Sequence, residues 1–302
     1  MIPFVRLTDP VYGCCEQVSP LIRRVIAQNP GPFTYTGTGT YIVGRPEPGA
    51  TVAVIDPGPL DERHLEALLA AVAGQTVSHV LVTHTHRDHA PLARPFAEAV
   101  GAEILAAAPP RRATHASAGM DEDDDEDFRP DRMVEDGEFV DGDGWTLETL
   151  ATPGHASNHL CFALIEENAL FSGDHVMGWS TTIIAPPDGD MIAYMGSLER
   201  VIARNFKTLW PTHGSPVTEP RPFLAAYRAH RLERERQILT ALRPDGMRIA
   251  DIVPVLYAAV DQRLWPAASL SVLAHLIALV RHGRVTADPE PTLQAVYRPV
   301  GG

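Results

Sequence analysis

The chain has 302 residues, of which 45% are hydrophobic and 21% charged, enough apolar material for a full core and an ordinary charge content for a globular protein. That composition excludes a disordered or fibrous chain, and the length favours one large domain with a smaller one. Acids outnumber bases 38 to 25, giving a net charge of −13, and Lys207 is the single lysine, so the surface as a whole does not attract polyanions.

A nucleic-acid substrate would therefore need a local basic groove or bound metal ions. Cys14, Cys15 and Cys161 cannot form a disulfide framework, which points to a reducing compartment. The N-terminal residues lack the charged start and apolar run of a secretory signal, and no window reaches about 18 uninterrupted apolar residues. The expectation is a cytoplasmic protein with no membrane partner, its oligomeric state left open.

In chain order, 40–44 and 51–56 read as strands rich in β-branched residues, the second ending in the turn Asp56-Pro57-Gly58-Pro59. A helix follows, with Asp61 as N-cap, Leu65, Leu68, Leu69 and Val72 on one face, and Gly74 as its stop. Residues 78–83 form a buried strand leading into His84-Thr85-His86-Arg87-Asp88-His89; 91–101 is the next helix and 103–106 the next strand. The acidic run 121–127 repels itself and has no apolar anchor, so it reads as a solvated loop, a cation-binding or nucleic-acid-mimicking segment being the alternative.

Strands are expected again at 145–150, 160–165 and 169–171, and helices at 195–206 and 221–242. Arg243-Pro244-Asp245-Gly246 breaks the last helix and divides the chain into domains 1–243 and 244–302. Two strand-rich halves with intervening helices suggest stacked sheets covered by helices. The terminal part reads as helix 249–260 with Pro254 inside it, a turn at 261–266, an apolar helix 267–282, and short strands 283–287 and 293–298. That is the order of a winged helix-turn-helix. Its five acids, Asp245, Asp251, Asp261, Asp288 and Glu290, balance Arg248, Arg263, Arg281, Arg284 and Arg298, which favours packing or a substrate wall over base reading.

Histidine carries the chemistry. His84, His86, Asp88 and His89 give the spacing H-x-H-x-D-H at the end of a buried strand, and His155, Asp174 and His213 each follow an apolar strand-like segment. All seven can meet at one edge of a sandwich. Five imidazoles and two carboxylates suit two divalent metal ions, zinc first. Four such groups within six positions would be costly to pack without a metal. His64, His79, His115, His230, His275 and His282 stand alone and read as ordinary surface or core residues.

The motif His84-Thr85-His86-Arg87-Asp88-His89, with Gly154-His155, Gly173-Asp174 and Thr212-His213, resembles the five motifs of the metallo-β-lactamase-fold hydrolase superfamily in order, over roughly 32–216. The resemblance implies an α/β fold, a four-layer αβ/βα sandwich catalytic domain followed by a winged-helix-like domain. It implies His84, His86 and His155 on one metal, Asp88, His89 and His213 on the other, Asp174 bridging both, and Asp56 bracing the ligand turn from behind. Asp174 sets the chain apart from exported zinc β-lactamases, and His86 from flavodiiron-type oxygen reductases. The full set is that of the glyoxalase II and nuclease branches. The winged-helix pattern resembles the lactamase-β-like-2 group, some of whose members cut single-stranded RNA.

The resemblance implies hydrolysis by a hydroxide held between two metals, with Asp88 and Asp174 in the catalytic centre and single-stranded RNA as the first substrate expectation. A small ester, thioester or β-lactam is the same-site alternative. A mononuclear iron dioxygenase of thiols shares much of the motif, and a nonenzymatic winged-helix nucleic-acid-binding protein is the alternative of another class. His159 and His175 are candidate proton donors or braces. Trp179, Ser180, Thr181, Thr182 and Tyr194 are candidate cleft residues, the aromatics able to stack a base, and Arg87 could meet an anionic substrate.

Overall fold

The β-branched runs assemble into two sheets in a computed structural model that describes residues 2–6, 9–110, 124–125 and 127–301. The first sheet holds, in both chain and spatial order, β1 (Glu16–Gln17), β2 (Ile22–Ile26), β3 (Gly39–Val43), β4 (Thr51–Ile55), β5 (Thr76–Leu81), β6 (Glu103–Ala106) and β7 (Arg132–Met133). Strands β1 to β4 pair antiparallel and β4 to β7 parallel, with α1 (Glu62–Ala71) and α2 (Ala93–Val100) as the crossovers on either side of β5. The second sheet contains β8 (Phe139–Gly142), β9 (Trp145–Ala151), β10 (Leu160–Leu164), β11 (Ala169–Gly173) and β12 (Thr208–Pro211), in the spatial order β12-β11-β10-β9-β8. Between β11 and β12, which run parallel, lies α3 (Met191–Arg204).

Alternation along the strands sends side chains to two faces, and both faces of each sheet are covered. Tyr41, Ile55, Leu81 and Leu105 of the first sheet meet Leu147, Phe162, Phe171 and Trp210 of the second in the central layer. On the outer face of the first sheet, Ile42, Val54, Val80 and Ile104 pack on Leu68 and Phe96 of α1 and α2. On that of the second, Leu150, Cys161, Ala163, Leu170 and Leu209 pack on α3 and on α4 (Pro220–Ala241). Helix, sheet, sheet, helix is the expected four-layer order. Helix α3 starts four residues before the expected 195 because Asp190 caps it through Ile192 and Ala193 N–H, and Met191 is buried in the core.

Strand β2 was not expected: Arg23 and Arg24 interrupt its apolar pattern, yet both are buried. Arg23 reaches Ala71 O and Gln75, and Arg24 reaches Gly214 O and Glu16, which pairs the terminal guanidinium nitrogens of both and leaves each Nε without a partner.

After α4 come α5 (Ile249–Leu256), α6 (Trp265–Arg281) and a hairpin of β13 (Val285–Asp288) and β14 (Val296–Pro299). Helix α5 is shorter than expected, with Pro254, which has no N–H to donate, in its last turn. By length and composition the stretch Gln262–Arg281 could cross a bilayer, but its apolar side chains have protein partners on two sides. Val272, Leu273, Leu276 and Leu279 pack with Ile252, Val253, Val285 and Tyr297, and with Ile238 and Leu242 at the end of α4. Ala274 and Ala278 face the α3 and α4 layer.

At Asp124 and Asp125 the acidic run departs from the solvated expectation. Residues 121–123 and 126 lie outside the described residues, and Asp127 is exposed. Asp124 and Asp125 are half-buried: Thr85 Oγ1 donates to Asp124 Oδ1 at 2.6 Å, and Asp125 N–H donates to Thr85 O at 2.7 Å. Two polar atoms of Thr85, on the histidine-rich turn, thus anchor these two residues in place of apolar contacts.

Candidate metal centre

The turn after β5, the loop between β9 and β10, the end of β11 and the end of β12 converge at one edge of the sandwich. They bring together His84, His86, Asp88, His89, His155, Asp174 and His213. Three groupings have ligand-capable atoms within 4.8 Å of one another: His84, His86 and His155; His84, His89 and Asp174; and Asp88, His89 and His213. His84 Nε2 and His86 Nδ1 are 3.0 Å apart. Asp174 faces both sides, with Oδ2 3.9 Å from His155 Nε2 and Oδ1 3.7 Å from His89 Nε2 and 3.5 Å from His213 Nε2. Asp88 Oδ2 lies 3.0 Å from His213 Nε2 and 3.4 Å from His89 Nε2.

Hydrogen bonds at the outer nitrogens decide which nitrogen faces in. His155 Nδ1–H donates to Ile183 O at 2.7 Å and His213 Nδ1–H to Gly37 O at 3.2 Å, because a carbonyl can only accept. Asp56, fully buried, accepts from His89 Nδ1–H, from Thr83 N–H and Oγ1–H, and from Thr212 Oγ1–H, all within 2.9 Å. Thr83 Oγ1–H donates its hydrogen bond to Asp56, so the hydroxyl oxygen accepts from His84 Nδ1–H at 3.0 Å. Each of these rings therefore turns Nε2 inward.

Inside the cluster, His89 Nε2, His155 Nε2, His213 Nε2, Asp88 Oδ1 and Asp174 Oδ1 are buried with no hydrogen-bond partner. Native interiors leave few polar atoms in that state. A nitrogen and oxygen donor set of this kind is compatible with two divalent metal ions.

Charge separates the two sides. Burial, reinforced by neighbouring imidazoles, holds His84 and His86 well below the usual imidazole range. Burial also opposes ionisation of Asp88, but His89 and His213 outweigh it and keep the carboxyl well below the usual carboxylate range. For His89, burial is overcome by Asp88, Asp56 and Asp174, which hold it well above its ordinary value. Imidazoles crowd His84 and His86, whereas carboxylates surround His89.

Other expected residues take different places. His159 is a brace: its Nε2 accepts from Asp174 N–H at 3.1 Å and its Nδ1 pairs with Thr152 Oγ1 at 2.8 Å, leaving no proton aimed at the cleft. His175 is fully buried, neither ring nitrogen is partnered, and burial pushes it down to about 3, which is unsuited to donating a proton near neutrality. Tyr194 is core, with its hydroxyl on His175 O at 2.9 Å, so it does not line the cleft. Thr182 is buried behind Asp174, and Trp179 is half-buried, stacked on Tyr35 with ring centroids 4.6 Å apart. Arg87 is exposed.

Close packing shapes the ligand loops. A Cβ on Gly154, just before His155, would lie 2.3 Å from Tyr194 Cα, and its φ of +139° also demands glycine. Sequence reasoning passed over Thr83 and Thr212; a signal was present, since each immediately precedes a cluster histidine.

Residues 37–213 match the metallo-beta-lactamase superfamily and residues 249–291 the beta-lactamase-associated winged helix domain. The chain is 33% identical to the beta-lactamase-like protein 2 homolog of Caenorhabditis elegans, over 85% of this chain and 82% of that one. It is 32% identical to an atrochrysone carboxyl ACP thioesterase of Pseudocercospora fijiensis, over 82% and 70%. Across the first three curated relatives it matches, the chain spans 65% to 82% of their length. A beta-lactamase domain protein from Burkholderia ambifaria, of known structure, shares the fold with a TM-score of 0.78 at 22% identity, over 97% of this chain and 95% of that one.

Proposed function

This chain belongs to the metallo-beta-lactamase superfamily, and from that premise we propose that its His/Asp cluster holds two divalent ions, zinc first, and that it hydrolyses a small ester or thioester. His84, His86 and His155 would hold one ion and Asp88, His89 and His213 the other, with Asp174 turning one oxygen toward each. When bound, such ions lower the pKa of water toward about 7 and polarise a scissile carbonyl. The protein contributes orientation: Asp56 keeps His89 Nε2 inward, and His159 holds the Asp174 backbone.

The observation that carries the reading is the one-sided pairing of the ligands: outer nitrogens hydrogen-bonded, inner atoms buried and unpartnered. Three features support the substrate class. Asp124 and Asp125 dock on the ligand turn and add negative charge where a phosphodiester backbone would have to approach. Helix α6 is packed on two sides, which supports a structural role for the terminal domain. Three relatives are named as thioesterases. The free Cys14, Cys15 and Cys161 support a reducing, cytoplasmic setting. Single-stranded RNA is the second reading, favoured by the stacked Tyr35 and Trp179 beside Gly214, the neighbour of His213, where a base could stack.

The test offers a metal-counted preparation an acyl thioester, a chromogenic lactam and labelled single-stranded RNA, with Asp174→Ala as the contamination control. Thioester turnover that the variant loses is the expected result. RNA cleavage lost in the variant would replace the substrate class, and a single iron with oxygen uptake would replace hydrolysis altogether.

A further inference from the structure

Residues 180–183 lie behind the cluster and touch it twice. Ile183 O accepts His155 Nδ1–H at 2.7 Å, and Thr182 Oγ1–H reaches Asp174 O at 2.8 Å and His175 O at 3.1 Å. The same segment is gripped from the other side by α4. Thr182 N–H donates to Tyr227 Oη, Tyr227 Oη–H donates to Ser180 O at 3.1 Å, and an Arg231 guanidinium nitrogen donates to Thr182 O.

Arg231 is a costly residue to find there. It is 4% exposed, its Nε is unpartnered, and among the described residues no carboxylate lies within ion-pair distance. Its guanidinium sits instead over the rings of Tyr194 and Tyr227, 5.0 and 5.8 Å from their centroids. A buried charge without a counter-charge is a poor device for stability alone. Here it fixes a carbonyl whose own residue fixes the Asp174 main chain.

We propose that Tyr227 and Arg231 are positioning residues of the metal centre, holding segment 180–183 so that it aims His155 and Asp174 at the ions. The inference rests on the metal-dependent reading above. It explains why two of the three ligands outside the H-x-H-x-D-H turn, His155 and Asp174, hold their orientation: both are tied to one segment, and that segment to one helix.

Zinc affinity and stoichiometry, measured by competition with a chromophoric chelator, test it without reference to any substrate. Tyr227→Phe removes one hydroxyl at nearly constant volume, and Arg231→Met and Arg231→Lys remove or retain the charged donor. Tyr297→Phe is the matched control, since Tyr297 is equally buried and donates to Thr292 O in the terminal hairpin. Loss of an outer partner typically weakens a metal site by roughly 10–100-fold, so Tyr227→Phe and Arg231→Met are expected to weaken zinc binding about tenfold, with Arg231→Lys in between. The cobalt-loaded protein should show a shifted absorption band in the same variants, and Tyr297→Phe should match the parent in both readouts. Parent-like affinity and spectrum in a folded Tyr227→Phe, or equal weakening in Tyr297→Phe, would overturn the inference. A parent chain that binds no zinc, iron or manganese would instead overturn the metal-dependent reading.

Discussion

At the candidate metal centre, His84, His89, His155 and His213 each have the outer nitrogen hydrogen-bonded and the inner one turned into the cluster; at the junction of α4 and α6, His275 is just as buried and neither of its nitrogens has a partner. Burial and lost hydrogen bonds are common to both regions. What differs is pre-orientation. A ligand histidine has its outer nitrogen fixed by a neighbour, so its inner nitrogen is already aimed. His275 has no such neighbour, and burial with nearby Arg231 and Arg234 pushes it down to about 3, a neutral filler of space.

The sharpest way to break this comparison is to remove the atom that faces both sides. Asp174→Ala should lose turnover and bound metal by more than the roughly 10–100-fold that an outer partner is worth, read as metal content after gel filtration and as kcat. Retained stoichiometry would show that Asp174 does not join the two sides. Asp56→Asn tests the outer partners. It should weaken metal binding by roughly 10–100-fold and cost about 1–3 kcal/mol in denaturant unfolding, because the four donors that share its two oxygens would be left with a single acceptor oxygen.

Gly154→Ala probes the packing that carries His155. Its Cβ would collide with the Tyr194 backbone, and the left-handed conformation alone costs of order 1–3 kcal/mol, so the expected readout is a lower Tm together with weaker metal binding. The smallest effect belongs to His275→Leu, which should leave metal content unchanged and alter stability at pH 7 by less than about 1.5 kcal/mol. Its signature is in acid. The unfolded chain protonates His275 near 6.5 and the folded one near 3, so the parent loses stability as pH falls through that window. The variant lacks this contribution, and its Tm should fall less steeply between pH 6.5 and pH 5.

Much of the candidate site is legible before folding because its signals are local. The turn His84 to His89 crowds ligand types at a strand end, and Asp56 lies at the end of the neighbouring strand in a Pro-Gly turn. The same locality limits the reading elsewhere. His159 and His175 look alike in sequence, each close to a ligand, yet one accepts from the Asp174 main chain and the other contacts no donor. Tyr194 carries no mark that separates a cleft aromatic from a core one. The Arg23-Arg24 pair hid β2, since only the fold reveals that Ala71 O and Gly214 O wait for the two guanidiniums.

From the sequence alone came most of the strand and helix order, the sandwich with its winged-helix tail, and the ligand types, because each rests on periodicity, turn residues and spacing within a few positions. Tertiary structure decided which nitrogen of each imidazole faces inward, that Asp124 and Asp125 dock on the ligand turn, and that Arg231 reaches Thr182 across 49 residues. Those outcomes depend on hydrogen bonds between segments remote in the chain, and no local pattern records a partner that only packing supplies.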